Sequence, residues 1–293
     1  DFYSKYEVSR NIYERLDAVI GRNLSNLIFS GEDKDLLQTQ NSQPAIMATS
    51  IAIYEALKCE NLIDNNFYSC VAGHSLGEYS ALVANESLKF EDSAKLLKFR
   101  SKVMQDSMPI GTGGMVALIG CSDDAINNII NSAKKLGQIF IANDNAKGQI
   151  VLSGELTAIQ YILDNSKKLQ IKRAIKLPVS APFHCELIQS ASKEMSTEIS
   201  NYKFSPFIVP LYSNVTAKIC DDKEIANLLI NQITSKVRWR EIVENMVYDG
   251  IKIFVEIGPG SVLTNLVKRI SNDVITVSIS KLEDIEKLDN IKQ

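Results

Sequence analysis

A serine between two glycines is the first feature of the sequence with chemical potential. Residues 73–77 read Gly-His-Ser-Leu-Gly and match the pattern G-x-S-x-G around Ser75. In this pattern the chain turns sharply from a strand into a helix, and the glycines let the two backbones approach while the serine is held strained and exposed. The N–H of Leu76 then lies at the helix start, where it can stabilise an oxyanion. The alternative is a tight turn with an incidental serine, because short motifs match by chance.

A serine hydroxyl needs a neighbouring base before it becomes a good nucleophile. The chain has two histidines, His74 and His184. His74 directly precedes Ser75, so on a tight turn its side chain is expected to diverge from the serine and to pack beneath the turn. His184 lies at the start of a predicted helix, where its side chain can project into a cleft. A lone histidine is more often structural, but elimination favours His184 as the base once Ser75 is accepted.

Arg100 is the third candidate, on a predicted helix that otherwise packs against the core. An arginine in such a position is usually solvated or in an ion pair. Its guanidinium can also hold a carboxylate through two parallel hydrogen bonds, which lysine does less well. Arg100 therefore predicts either a surface charge or a site for a carboxylate.

The surrounding pattern predicts the elements that position these residues. A short apolar run at 67–72 predicts a strand, and 76–84 predicts the helix that follows the serine. Apolar residues at helical spacing predict helices at 42–56 and at 91–108, the second of which carries Arg100. The serine is thus predicted at a strand-to-helix turn.

Residues 113–178 are predicted to form a small inserted domain. Their predicted order is strand, helix, strand, strand, helix, strand, which is the order of a ferredoxin-like unit. Strands alternate with helices in the remaining residues, 1–112 and 179–293, which predicts a large hydrolase-like α/β domain with a largely parallel sheet. The fold class is therefore predicted as α/β with a ferredoxin-like insertion.

The composition argues against several other classes. The 293 residues are 45% hydrophobic and 23% charged, which is typical of a globular protein, and the net charge of −3 gives no reason to expect a nucleic acid or an anionic membrane as partner. No stretch approaches the roughly 18 uncharged apolar residues of a membrane span. The five cysteines lack C-x-x-C spacing, and with two histidines they offer no zinc site. We predict a cytoplasmic protein without a metal or a bound cofactor.

Residues 73–84 (Gly-His-Ser-Leu-Gly-Glu-Tyr-Ser-Ala-Leu-Val-Ala) resemble the signature of the malonyl-CoA:acyl-carrier-protein transacylases, whose fold also occurs in polyketide synthase acyltransferase domains. Other stretches match the family in the same order and together cover nearly the whole chain. They are residues 42–45, 111–115, 143–145, 148–149, 180–185, 232, 237–239 and 258–263.

The resemblance implies roles for individual residues. Ser75 corresponds to the acyl-carrying nucleophile, His184 to the general base and Arg100 to the arginine that pairs with the malonyl carboxylate. The backbone carbonyl near Gln232 corresponds to the group that orients the histidine, so no acidic triad member is required. The N–H of Leu76 corresponds to one donor of the oxyanion hole.

The resemblance also implies a substrate and a partner. Leu76 after the serine and Phe183 before the histidine resemble malonyl-selective rather than methylmalonyl-selective members. The implied reaction transfers a malonyl group from malonyl-CoA to the phosphopantetheine thiol of acyl carrier protein, with fatty-acid synthesis favoured over polyketide synthesis and a monomer expected. Lys268 and Arg269 are candidates for carrier docking, or else solvated helix charges.

One part of the family pattern is missing. Family members open with a strand and a Gly-Gln-Gly turn whose glutamine supplies the second oxyanion N–H, whereas this sequence starts Asp-Phe-Tyr. Either the sequence lacks its natural N-terminus or the segment was lost. Because losing one oxyanion donor costs roughly a hundredfold or more in rate, a chain that starts at Asp1 is expected to be a poor catalyst.

Two rival functions remain at this point. An α/β-hydrolase such as a thioesterase shares the serine motif, but it places an acid between serine and histidine and its histidine near the end of the chain. Here a long segment follows His184, and the predicted insertion lies between Ser75 and His184. A non-catalytic module that docks carrier protein is the other rival, and the missing turn is its only support.

Overall fold

The structure, a computed structural model that describes residues 1–291, begins with five helices before its first strand. The helices are α1 (Phe2–Lys5), α2 (Glu7–Ile20), α3 (Leu24–Ser30), α4 (Asp33–Leu36), α5 (Thr39–Cys59), α6 (Gly77–Ala84), α7 (Phe90–Asp106), α8 (Asp123–Ala133), α9 (Leu156–Asp164), α10 (Gln189–Ile199), α11 (Ile225–Gln232), α12 (Trp239–Tyr248) and α13 (Val262–Ile270). The strands are β1 (Val71–Ala72), β2 (Gly113–Ile119), β3 (Ile139–Ala146), β4 (Gln149–Glu155), β5 (Arg173–Lys176), β6 (Leu211–Tyr212), β7 (Ile253–Ile257) and β8 (Ile275–Ile279). Short 3₁₀ segments lie at Glu186–Ile188, Asp222–Glu224 and Leu282–Ile291.

The strands between β2 and β5 form a four-stranded sheet in the order β3-β4-β2-β5, with every neighbouring pair antiparallel. The predicted order of strand, helix, strand, strand, helix, strand is observed as β2-α8-β3-β4-α9-β5. The apolar faces of α8 and α9 pack on this sheet and enclose a hydrophobic cluster of their own, because the strands point alternate side chains to one face. The cluster includes Val116, Leu118, Ile126, Ile129, Leu152, Ile159 and Ile162.

The other strands form two separate parallel pairs, β1 with β6 and β7 with β8. The predicted parallel direction is confirmed for both pairs, but a single largely parallel sheet is not observed within residues 1–291. The strand predicted at 67–72 is wrong in its extent, because Phe67 and Tyr68 bury their rings against a hydrophobic cluster outside the strand pairing. A short apolar run indicates burial, and burial alone does not specify a strand.

Helices α5 and α7 pack in the largest hydrophobic cluster, and each carries one buried polar residue that the next subsection uses. The predictions at 42–56 and 91–108 are confirmed as helices with shifted ends, and α5 begins before the predicted start. Both helices bury residues on several sides, among them Gln43 of α5 and Arg100 of α7. These two polar side chains therefore meet in the interior.

The four-stranded sheet is joined to the rest of the molecule through β3. The N–H of Asp144 donates to the carbonyl of Val237 (2.9 Å), and the N–H of Val237 donates to the carbonyl of Ala142 (2.8 Å). Arg240 of α12 also donates to both carboxylate oxygens of Asp144, at 3.0 and 2.8 Å. This ion pair is largely buried on the aspartate side and joins β3 to α12.

No helix among residues 1–291 combines the length and the apolar character that crossing a membrane requires.

Candidate active site

Ser75 lies on the sharp turn between β1 and α6, in a left-handed backbone conformation with a φ of 52°. Such a conformation is strained for a residue with a side chain and persists only where its surroundings impose it. Asn214 supplies part of that restraint, because its Oδ1 accepts from the N–H of Ser75 and its Nδ2 donates to the carbonyl of Gly73, both at 2.7 Å.

The two glycines of the motif have different roles. A Cβ atom on Gly73 would lie 1.9 Å from the carbonyl oxygen of Gly77, so the strand and the helix approach too closely for any side chain there. A Cβ atom on Gly77 would meet no other heavy atom within 4 Å. The steric demand of the turn therefore falls on the first glycine alone.

This difference predicts unequal effects of two alanine substitutions. Gly73→Ala is expected to lower the free energy of unfolding by about 1–3 kcal/mol or more, since backbone atoms must move to admit the methyl group. Gly77→Ala is the matched control and is expected to leave stability unchanged or slightly raised, because alanine favours the helix. Urea unfolding of both variants measures the difference, and equal midpoints would contradict the steric assignment.

His184 contacts the serine directly. Its Nε2 lies 2.8 Å from the Oγ of Ser75, and its Nδ1 lies 2.9 Å from the backbone carbonyl of Gln232. Because a carbonyl only accepts, Nδ1 carries the proton and Nε2 is free to accept the serine hydroxyl proton. Burial, helped by the charge of Arg100, lowers the pKa of His184 to about 3. The imidazole is therefore neutral and able to act as a base.

Arg100 is the largest fully buried side chain near the serine, with 1% of its surface exposed. Its Nη1 donates to Gln43 Oε1 at 2.6 Å, and its Nη2 donates to Gln232 Oε1 at 2.8 Å and to Ser75 Oγ at 3.1 Å. Burial lowers its pKa, while Tyr79 and Glu78 act in the opposite direction.

A buried cation is costly unless a charge compensates it. No carboxylate among residues 1–291 forms an ion pair with Arg100, and its Nε has no partner there. The site can therefore accept an anion next to the serine hydroxyl.

The other predicted residues lie beside this cluster. The N–H of Leu76 precedes α6 and donates to no acceptor within the described chain, so it is available to a ligand. Gln232 joins the site through both its backbone carbonyl and its side chain. Phe183 is buried in the main hydrophobic cluster, against which the side chain of Leu76 also packs. Contact of these two side chains with an acyl group stays a prediction.

His74 diverges from the serine, as its position in the turn predicts. Its Nε2 bonds to Asn145 Oδ1 at 2.8 Å, and its ring lies 5.6 Å from the ring of Trp239. Burial lowers the pKa of His74. It therefore connects the turn to β3 and does not contact the serine hydroxyl.

Three further polar residues complete the site and were not predicted from the sequence: Gln43, Glu78 and Asn214. All three are at most 5% exposed, and each bonds to a residue of the serine cluster. Glu78 accepts from the N–H of Asn214 at 3.1 Å and from the Nε2 of Gln232. A signal for it was present, because α6 otherwise consists of small, apolar or uncharged residues. Among residues 1–291 no cluster of His, Cys, Asp and Glu could hold a metal ion.

Comparison with known proteins identifies the family. A family model described as an acyl transferase domain matches residues 2–285. The malonyl CoA-acyl carrier protein transacylase of Bacillus subtilis is 36% identical over 288 residues, which are 98% of this chain and 90% of that protein.

Solved structures extend the likeness to the fold. An acyl-carrier-protein-S-malonyltransferase from Bartonella henselae has a TM-score of 0.94 at 37% identity, covering 99% of this chain and 93% of its own. A malonyl-transacylase solved in complex with a type II PKS acyl-carrier protein has a TM-score of 0.93 at 32% identity, covering 99% and 94%. The chain therefore belongs to the acyl transferase family, and over nearly its whole length it is related to the malonyl CoA-acyl carrier protein transacylases.

Proposed function

We propose that this protein transfers a malonyl group from malonyl-CoA to the phosphopantetheine thiol of an acyl carrier protein through a malonyl-serine intermediate. One observation carries the proposal: a buried arginine, which forms no ion pair with any carboxylate of residues 1–291, donates to the oxygen of a serine that is hydrogen-bonded to a neutral histidine. This arrangement joins an acyl-accepting nucleophile to a site for a second, anionic carboxylate. The names of the relatives support the same substrate and partner.

The first half-reaction acylates the serine. His184 Nε2 takes the hydroxyl proton as Ser75 Oγ forms a bond to the thioester carbonyl carbon. The N–H of Leu76 bonds to the developing oxyanion. The carbon–sulfur bond then breaks, and the CoA sulfur leaves with the proton from His184.

The second half-reaction reverses these roles. The thiol of phosphopantetheine gives its proton to His184 and attacks the malonyl ester on Ser75. When the ester bond breaks, Ser75 Oγ recovers the proton from His184. Because the carbonyl of Gln232 holds Nδ1–H, the imidazole keeps the tautomer that both halves require.

Arg100 selects the acyl group in this proposal. Its guanidinium pairs with the free carboxylate of malonyl, whereas an acetyl group leaves the buried charge without a partner. Leu76 and Phe183 are proposed to limit the space around the acyl group, favouring malonyl over methylmalonyl.

We also propose the predicted domain organisation. The order β3-β4-β2-β5 is that of a ferredoxin-like sheet, which supports a small domain at 113–178 inserted into a hydrolase-like domain of residues 1–112 and 179–293. A cytoplasmic monomer that serves fatty-acid synthesis is part of the proposal. Lys268 and Arg269, in the last turn of α13, are proposed to attract an acidic carrier protein.

Steady-state kinetics with malonyl-CoA and holo acyl carrier protein test the proposed function. We expect parallel double-reciprocal lines, because CoA leaves before the carrier binds. Malonyl carrier protein should accumulate in step with free CoA. Free malonate in place of malonyl carrier protein would support the thioesterase instead, and binding of carrier protein without CoA release would support the docking module.

A further inference from the structure

We propose that Glu78 is a positioning residue for malonyl transfer: its buried carboxylate holds the Gln232 amide and the Asn214 backbone, and through them Arg100 and Ser75. This inference rests on the proposed function and adds a residue to it. Glu78 touches none of the reacting groups itself, so it acts through its two neighbours.

The orientation of the Gln232 amide shows what the carboxylate does. Arg100 can only donate, so the amide oxygen must face the guanidinium; an ionised Glu78 can only accept, so the amide nitrogen must face the carboxylate. The observed contacts follow this pattern, with Nη2 of Arg100 2.8 Å from Oε1 and the Nε2 group directed at Glu78. The same Nε2 donates to the carbonyl of Ser75 at 3.0 Å. Gln232 is thereby held between the acid and the arginine.

A second chain of hydrogen bonds leaves the other carboxylate oxygen. Glu78 Oε1 accepts from the N–H of Asn214, and the side chain of Asn214 bonds to both Gly73 and Ser75. One carboxylate therefore supports the guanidinium on one side and the strained serine turn on the other. Displacements of about 1 Å in such groups can cost on the order of a hundredfold in rate.

An uncharged isostere cannot make both contacts. Asn214 and Gln232 each direct an N–H donor at Glu78, and the hydroxyl of Ser213 lies beside them, whereas a glutamine side chain at this position has one accepting oxygen and one donating nitrogen. Either orientation of that amide would direct a donor at a donor, and a protonated Glu78 has the same difficulty. The two N–H contacts therefore favour the ionised carboxylate over the protonated acid.

The surroundings of Glu78 make its protonation relevant near neutral pH. The ionisable groups that face it are Arg100 of α7, the neighbouring Tyr79 and the thiol of Cys220, with His184 beyond the serine. Burial raises the pKa of Glu78 to about 7, although its hydrogen bonds and Arg100 act in the opposite direction. Burial lowers the pKa of His184, so this histidine is expected to take up a proton at a lower pH than Glu78 does.

Activity and stability are expected to change with pH as Glu78 gains or loses its proton. Activity is expected to fall as the pH drops through about 7, because protonated Glu78 loses one of its two contacts. Stability changes in the opposite sense: a carboxyl whose folded pKa lies above its ordinary 4.5 binds more protons when folded, so its contribution to stability falls as the pH rises from about 4.5 to about 7.

Glu78→Gln tests the proposal together with Glu78→Asp, which keeps the charge. We expect Glu78→Gln to lower kcat/KM for malonyl-CoA by about 10- to 100-fold and to remove the activity change near pH 7. Glu78→Asp should lose less activity. Its activity should still fall at acid pH, with a midpoint that differs from that of the parent protein. The reaction of Ser75 with a fluorophosphonate, followed against pH, gives the same comparison without malonyl-CoA.

Asp284→Asn is the matched control, since Asp284 is another buried carboxylate that accepts from two backbone N–H groups, at Ser280 and Lys281. It is expected to lower the unfolding temperature without changing how activity depends on pH.

The inference would be overturned if Glu78→Gln kept nearly full kcat/KM and still lost activity as the pH drops through about 7. If Glu78→Gln does not fold, Glu78→Asp decides: full activity, with the same pH midpoint for the loss of activity as in the parent protein, would overturn the inference. Failure of the parent protein to form malonyl-serine would count against the proposed function and not against Glu78 alone.

Discussion

Replacing His184 with alanine is expected to lower kcat/KM for malonyl transfer by about 10²- to 10⁴-fold, the usual contribution of a positioned general base. The reason is geometric, because His184 Nε2 is the one imidazole nitrogen that bonds to Ser75 Oγ, at 2.8 Å. Without it, the hydroxyl must attack the thioester while still protonated. Stopped-flow measurement of CoA release under single-turnover conditions isolates this acylation step.

Two controls separate a chemical defect from a folding defect in His184→Ala. Urea unfolding reports whether the variant retains its structure. Added imidazole should restore part of the rate by occupying the space that the side chain vacates, because it supplies the same proton acceptor. Acylation by His184→Ala at the parental rate would show that another group serves as the base.

Arg100→Ala has the second large expected effect, a loss of about 10²- to 10³-fold in kcat/KM for malonyl-CoA, since truncating one partner of a buried charged pair costs about 2–5 kcal/mol. Activity with acetyl-CoA should fall far less, so the preference for malonyl over acetyl is expected to collapse. Competition between the two thioesters for the same enzyme measures that preference directly.

Arg100→Lys is the informative companion to this variant. Lysine keeps the positive charge but cannot donate in parallel to Gln43, Gln232 and a carboxylate, as the guanidinium can. We expect an intermediate preference for malonyl. If Arg100→Ala discriminates between malonyl and acetyl as well as the parent does, the guanidinium is not the group that recognises the carboxylate.

The central residues of the site were predictable from the sequence because each has a distinctive chemistry. Ser75 lies in a motif with its own backbone geometry, and with two histidines in the chain elimination favoured His184. Arg100 was ambiguous on its own, since helical arginines are usually solvated. The resemblance of the surrounding motifs favoured the carboxylate site, and the guanidinium is buried beside the serine.

The residues that hold the site together were not predictable in the same way. Asn214 bonds to Ser75 from 139 positions away, and the Gln232 side chain bonds to Glu78 from 154 positions away. Amides and a single glutamate occur throughout any sequence, and only folding determines which of them become buried next to a charge. The extent of β1 was misjudged for a related reason, because its apolar neighbours are buried outside the sheet.

Mass spectrometry of the protein after mixing with malonyl-CoA, in the absence of carrier protein, tests the central claim most directly. The proposed mechanism predicts one malonyl group per chain, mapped by proteolysis to Ser75, lost on addition of holo acyl carrier protein and absent from Ser75→Ala. A malonyl adduct on another residue, or undiminished transfer by Ser75→Ala, would contradict the account.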